Sequence, residues 1–180
     1  MDEELAEMIE GFKQLATASV SDAVDRVTGR RGFMSHEIRP VFPVKMAGPA
    51  VTVLHQLSLK PTPPVEVMQA MEEAESGSVM VIVVEDGIDI AGWGGLRTAG
   101  AVVKGLAGTV LDGGAGDVVE VEEAKYPVFA RSIVPSTSVG RYSTTGVQAP
   151  IICGGVLVSP SDIIVGDRDG VVVVPQAKAA

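Results

Sequence analysis

Apolar positions in the first stretch of the chain, residues 2–16, fall at Leu5, Met8, Ile9, Phe12 and Leu15. That 3–4 residue spacing predicts an amphipathic helix, with acids near its start where the helix dipole favours them. A second helix is predicted over "TASVSDAVDRV" (17–27), with Ser19 or Ser21 as a plausible cap. Residues 28–43 show no period and read as an irregular connector. "GPAVTVLHQ" (48–56) reads as a strand, "KPTPP" (60–64) as its break, and "VEVMQAMEEAE" (65–75) as a short amphipathic helix. "SVMVIVVED" (78–86) is a continuous apolar run, as expected of a strand buried on both faces. "GWGGLRTAGAVVKG" (92–105) is a Gly-rich turn opening a helix that closes at Gly105. "AGTVLDG" (107–113) is the next buried strand and "DVVEVEEA" (117–124) the next helix, with the capping-box spacing of Asp117 and Glu120. "YPVFARS" (126–132) is again a strand. Beyond it the pattern turns all-β: in "VQAPIICGGVLVSPSDIIVGDRDGVVVVP" short apolar runs alternate with Gly, Pro and Asp turns.

Alternating strands and helices followed by a β-rich tail, with no linker and no internal repeat, predict one α/β domain over 1–180. Composition agrees: 46% of residues are hydrophobic but only 4% aromatic, the apolar content is mostly Val, Ala, Ile and Leu, and there are 21 glycines. The net charge of −9 argues against nucleic acid or an anionic membrane surface as the main partner, since both need clustered Lys and Arg. It leaves room for a small anion held by local dipoles. Cys153 is the single cysteine, which excludes an internal disulfide and a zinc site built on several thiolates. There is no run of 18 apolar residues and no basic-then-apolar leader, so a soluble, cytoplasmic protein is expected.

Two turns are candidates for chemistry. Each follows a buried strand and opens a helix, the place where open α/β sheets bind ligands. The amides of "GWGGLR" (92–97) would be donors at a helix N-terminus, able to hold a carboxylate or phosphate. They would equally serve a tight turn with no ligand. Asp117, at the end of "LDGGAGD", is either a helix N-cap or a ligand for a hard divalent cation, and the two roles can coexist. Mg²⁺ commonly takes one or two protein carboxylates and completes its shell with water and substrate. His36 and His55 have no partner spacing and read as surface or packed residues. Cys153 reads as packing, "GDRDG" (166–170) as a hairpin turn, and Lys104 as a cation at a helix C-terminus.

The segments "TASVSDAVDRV", "AGPAVTV", "GWGGLRTAGAVVKGLAGTVLDGGAGD", "PVFAR" and "CGGVLVSPSDIIVGDRDGVVVVP", in this order, resemble the RraA-like family. That family comprises the class II 4-hydroxy-4-methyl-2-oxoglutarate/4-carboxy-4-hydroxy-2-oxoadipate aldolases and the regulator of ribonuclease E activity A. The resemblance implies an α/β/β sandwich of the swivelling phosphohistidine-domain type, in trimers often stacked into hexamers with sites between subunits. It implies a lyase forming pyruvate enolate from a small 2-oxo acid, by aldol cleavage or oxaloacetate decarboxylation, with Mg²⁺ or Mn²⁺. Carried over by position, Asp117 is the metal ligand, and the amides of Gly94, Gly95, Leu96 and Arg97 hold the substrate carboxylate. Relatives continue into a C-terminal helix that gives a Glu to the neighbouring subunit's site; the sequence here ends at Ala180.

The sequence departs from the family's motif of an acid followed, after a fixed gap, by Arg-Asp. Gly95 stands at the acid, Gly116 at the Arg, and only Asp117 keeps its type. Arg97, two residues after Gly95, is the candidate to replace the missing arginine in the substrate site; otherwise it is a surface or intersubunit residue. The alternative expectation is a non-catalytic regulatory binding protein whose acidic surface engages a basic partner.

Overall fold

The computed structural model describes residues 3–59 and 65–179. The predicted break at 60–64 lies outside the described residues. In chain order the elements are α1 (Glu3–Gln14), α2 (Thr17–Thr28), β1 (Arg39–Pro40), β2 (Met46–Leu57), α3 (Val65–Glu73), β3 (Val79–Val84), β4 (Ala91–Trp93), α4 (Gly95–Lys104), β5 (Gly108–Ala115), α5 (Val118–Glu123), β6 (Val128–Ile133), β7 (Tyr142–Val147), β8 (Ile151–Cys153), β9 (Val156–Val158), β10 (Ile163–Asp167) and β11 (Gly170–Val174), then a 3₁₀ turn at Gln176–Lys178.

A mixed nine-stranded sheet runs β1-β6-β5-β3-β2-β10-β11, with β4 paired to β5 and β7 to β2; β8 and β9 form a separate hairpin. The pairs β2–β3, β3–β5, β4–β5 and β5–β6 are parallel, as helical crossovers between strands require. The other pairings are antiparallel. This is the α/β architecture expected from the sequence.

Side-chain alternation explains the layers. In β3, Met80 and Ile82 join a core with α3, α4 and α5, through Val67, Met71, Ala101 and Val121. Val79 and Val81, one residue out of phase, face a second core with Cys153, Val156 and Val158 of the β8–β9 hairpin. β10 and β11 are also buried on both faces. Ile164, Val171 and Val173 enter the hairpin-side core, while Ile163, Val165, Val172 and Val174 pack on α1 and α2 through Ile9, Val20 and Val24. A strand covered on both faces gains burial from every residue, hence the unbroken "VVVV".

Two capping expectations are corrected. α2 starts at Thr17, so Ser19 and Ser21 lie inside it, and its N-cap Ala16 makes no side-chain bond. The cap comes instead from the "GDRDG" turn: the Thr17 N–H donates to Asp167 Oδ2 (2.9 Å), while Asp169 N–H donates to Asp167 Oδ1 (2.9 Å). Nor does Asp117 cap its own helix. It sits at φ 50°, in the left-handed region, and makes no side-chain bond to α5. The connector at 28–43 also contributes more than expected, through β1 and a bridge between Phe33 and Val172.

Candidate active site at the start of the fourth helix

The register of two short parallel strands builds the site. Trp93 of β4 pairs with Ala115 of β5, and Gly116 N–H donates to the Trp93 carbonyl (2.9 Å). Each chain then runs two residues further, to Gly95 and to Asp117, so the two positions arrive side by side. The Asp117 carboxylate turns toward the start of α4, where Oδ2 accepts the Gly95 N–H at 2.9 Å. The aspartate thus caps a helix twenty-two residues upstream of itself. The expectation of free amides across 92–97 is corrected at Gly95 alone, because that donor already has an anionic partner within the chain. Helix-start donors attract carboxylates for the same reason that they attract ligands.

Small residues make the approach possible. A Cβ on Gly94 would lie 2.5 Å from Asp117 Oδ2, and a Cβ on Gly95 would lie 1.9 Å from Glu120 Oε2. The Glu120 carboxylate therefore occupies the space into which a side chain at position 95 would grow. Gly116 is less crowded: its Cβ would meet only the Val134 carbonyl, at 3.2 Å, at closer than ordinary contact. Beneath the turn, Trp93 Nε1–H donates to Thr98 Oγ1 (2.9 Å), which donates to the Gly94 carbonyl (3.0 Å). The Trp93 ring stacks on Tyr126 at 5.9 Å, and the Tyr126 hydroxyl bonds to Thr109 (3.1 Å). The cradle is held by a rigid floor.

Arg97 projects from the first turn of α4. One guanidinium N–H reaches the Gly92 carbonyl, and no carboxylate among the described residues forms an ion pair with it. Burial lowers its pKa from 12.5 to about 10, so it remains a cation at neutral pH. Behind it lies His55, 1% exposed, which shares its strand face with Val51 and Val53. Its Nδ1 meets Thr144 Oγ1 at 3.2 Å, whereas Nε2 is buried without a partner. Burial first, and then the charge of Arg97, lower the His55 pKa from 6.5 to about 4, so this imidazole is neutral at neutral pH.

Arg97, Asp117, Gly94, Leu96 and Gly116 share one cavity of about 390 Å³. Gly95 is buried beneath its rim. The opposite wall is the segment after β6, residues 135–139, which the sequence reading did not single out. Val134 N–H donates to the Ala115 carbonyl (2.9 Å), and Ser136 Oγ donates to the Asp89 carbonyl (2.6 Å). These bonds bring Pro135, Ser136, Thr137 and Ser138 to the cavity. The available signal was a Pro/Ser/Thr run just past the carboxyl end of a parallel strand. α3 adds Val65 and Met68.

The remaining candidates have structural places. His36 is exposed. Cys153 is buried, and burial raises its thiol pKa above the ordinary range. Nearby, Arg131 bridges Asp112 and Glu37, while Asp112 Oδ2 accepts the Gly154 N–H (2.6 Å), tying the β8–β9 hairpin to the sheet. Lys104 ends α4 before Gly105 in the left-handed region. Among the described residues no group of three or more His, Cys, Asp or Glu is placed to hold a metal ion, and no helix is long and apolar enough to cross a membrane.

A mixed sheet with a parallel centre, a side hairpin and a cleft at strand ends defines a class, and the sequence confirms it: residues 17–173 match the RraA-like family, Aldolase/RraA. The chain belongs to that family. It is 32% identical over 176 residues to a Halalkalibacterium halodurans protein provisionally named a 4-hydroxy-4-methyl-2-oxoglutarate aldolase, covering 96% of this chain and 78% of that one. Among solved structures, an uncharacterised protein from Pseudomonas syringae superposes with TM-score 0.84 at 32% identity, over 97% of this chain and 82% of that one. Streptomyces coelicolor RraAS2, described as an unusual member of the RNase ES inhibitor RraA family, superposes with TM-score 0.88 at 27% identity, over 99% and 88%.

Proposed function

We propose that this protein is a divalent-metal-dependent carbon–carbon lyase that forms pyruvate enolate from a 2-oxo acid, by aldol cleavage or by decarboxylation of oxaloacetate. The observation that carries the reading is one cavity holding a half-buried arginine with no acidic partner and a carboxylate placed just past a strand end. A guanidinium held away from bulk water without a counter-ion favours an anionic ligand. Arg97 then binds the substrate carboxylate in place of the arginine that Gly116 lacks.

The oxygens of Asp117, with Glu120 beside it, suit Mg²⁺ or Mn²⁺, which need few protein ligands. Among the described residues no three His, Cys, Asp or Glu are clustered there as a Zn²⁺ site would need. Asp117 would hold the cation, which when bound supplies Lewis acidity toward the 2-oxo group. With Asp117 holding a cation, the Gly95 N–H would be free to donate to the substrate carboxylate. Glu120, filling the space beside Gly95, would stand in for the family's acid and take a proton there. Trp93 and Thr98 hold the backbone of the turn, so the reorganisation would be confined to the Asp117 side chain.

The reading extends to a homotrimer or hexamer. Val103 and Val119, at 90% and 67% exposure on α4 and α5, offer apolar surface for a second copy. A monomer in sedimentation velocity at micromolar concentration would remove that part.

A second reading, a non-catalytic regulatory binding protein, is favoured by Gly95 and Gly116 and by the Gly95 amide being satisfied within the chain. Pyruvate release from oxaloacetate with Mg²⁺ or Mn²⁺, less the metal-only rate, separates the two. Release lost with chelator and in Asp117→Asn and Arg97→Ala is the lyase outcome. No release above the metal-only rate from oxaloacetate or from 4-hydroxy-2-oxo acids favours the second reading.

A further inference from the structure

Charge is distributed very unevenly around the cavity. Among its described lining residues Arg97 is the single cationic side chain and Asp117 the single acidic one. Of the lining hydroxyls, Ser136 Oγ donates to the Asp89 carbonyl (2.6 Å) and accepts the Ala91 N–H (3.2 Å), while Thr137 Oγ1 accepts the Val139 N–H (3.2 Å). Much of the remaining surface is aliphatic, from Val65 and Met68 of α3, Leu96 of α4 and Val139. These four are 62%, 37%, 84% and 43% exposed, so their apolar surface is available for a ligand to cover. The volume of about 390 Å³ lies in the ordinary range for a small-molecule site.

We infer that the substrate is a 2-oxo monocarboxylate with an apolar far end, of the 4-hydroxy-2-oxoalkanoate class, bound in preference to dicarboxylates; this rests on the pyruvate-enolate reading above. One carboxylate can be matched to Arg97 and the released Gly95 amide. A second carboxylate finds no cation among the described lining residues and is set against Met68 and Leu96, where it loses hydration without a partner. An alkyl tail gains there instead, by about fourfold in affinity for each methylene fully covered.

In the reaction the C4 hydroxyl gives its proton to a base, and the C3–C4 bond breaks. C4 becomes the carbonyl carbon of an aliphatic aldehyde. The electron pair of the broken bond stays on the three-carbon fragment, which takes a proton at C3 and leaves as pyruvate. No oxidant or reductant is needed.

The test compares two substrates of similar reach, 4-hydroxy-2-oxoheptanoate and 4-hydroxy-2-oxoadipate, by pyruvate release with Mg²⁺. The expected result is a kcat/KM at least tenfold higher for the heptanoate. Met68→Lys and Leu96→Lys, which place a cation on the aliphatic wall, should each shift the ratio about tenfold toward the adipate. Equal rates, or a preference of the wild type for the adipate, overturn the inference while leaving the lyase reading standing. If neither is cleaved, the lyase reading fails, and calorimetric titration with unreactive 2-oxoheptanoate and 2-oxoadipate in Mg²⁺ decides the ligand class. Tighter 2-oxoheptanoate keeps it; equal binding, tighter 2-oxoadipate or no binding of either overturns it.

Discussion

Replacing Asp117 separates two roles that share one carboxylate. In the structure Oδ2 accepts the Gly95 N–H at 2.9 Å, satisfying a helix-start donor, and the backbone of Asp117 sits at φ 50°. Asp117→Ala loses the cap, about 1 kcal/mol, and forces a Cβ residue without a polar side chain into the left-handed region, about 1–2 kcal/mol more. For a chain of this length each kcal/mol moves Tm by about 2–4 °C, so the alanine variant should melt on the order of 5 °C lower or more. Asp117→Asn keeps both an oxygen acceptor and tolerance of that backbone, and should melt within about 2 °C of wild type. Asp117→Gly loses the cap but not the backbone fit, and should fall between them. The metal role sorts differently: all three variants lose the charge, and all three should lose any rise of Tm with added Mg²⁺. Differential scanning fluorimetry with and without 10 mM Mg²⁺ (about the level that saturates weak sites) reads both effects. An asparagine variant that melts as low as the alanine one would refute the cap. One that keeps a wild-type Mg²⁺ shift would refute the metal role.

Further expectations follow from neighbouring residues. Arg97→Ala should weaken oxalate or pyruvate binding by about 1.5–3 kcal/mol in calorimetry, the worth of a hydrogen bond to a charged group; unchanged affinity would return Arg97 to a purely structural place. Gly116→Arg should fold, since its Cβ needs only a few tenths of an ångström from the Val134 carbonyl, and should raise affinity for 2-oxo acids; loss of folding would contradict the space seen there. His55, neutral in the fold with its pKa lowered from 6.5 to about 4, binds a proton more readily when unfolded. Stability should therefore fall as pH drops from about 6.5 to 4, by on the order of 3 kcal/mol, and level off below. His55→Gln should flatten that limb in urea melts, and an unchanged pH profile would show that another group sets it.

The elements with long hydrophobic periods were legible from sequence because burial alone specifies them: α1 and α2, the two-sided strands β3, β5, β10 and β11, and the glycine closing α4. β4 was not, because three residues, "AGW", carry no period and their pairing with β5 is decided by tertiary register. The caps failed for a related reason. Local spacing pointed Asp117 at Glu120's helix and Ser19 or Ser21 at α2, whereas the donors are met by carboxylates brought from 22 and 150 residues away. Sequence placed Arg97 and Asp117 at two separate Gly-rich turns, joined only by the family resemblance, and the structure puts them on one cavity. It could not show that Glu120 occupies the space of a side chain at 95, since that depends on how α5 lies against α4. His55 was recoverable in part: it shares the parity of Val51 and Val53, which predicts an inward-facing imidazole on the helix side of the sheet.

Formation of pyruvate enolate at Asp117 and Arg97 is the central claim, and exchange of the pyruvate methyl protons in D₂O tests it without assuming which substrate the site cleaves. Proton NMR would follow loss of the methyl signal with protein and Mg²⁺, against Mg²⁺ alone, with chelator, and with Asp117→Asn and Arg97→Ala. The account predicts exchange above the metal-only rate that chelator and both substitutions abolish. Exchange no faster than with Mg²⁺ alone, or exchange that survives Asp117→Asn, would contradict it.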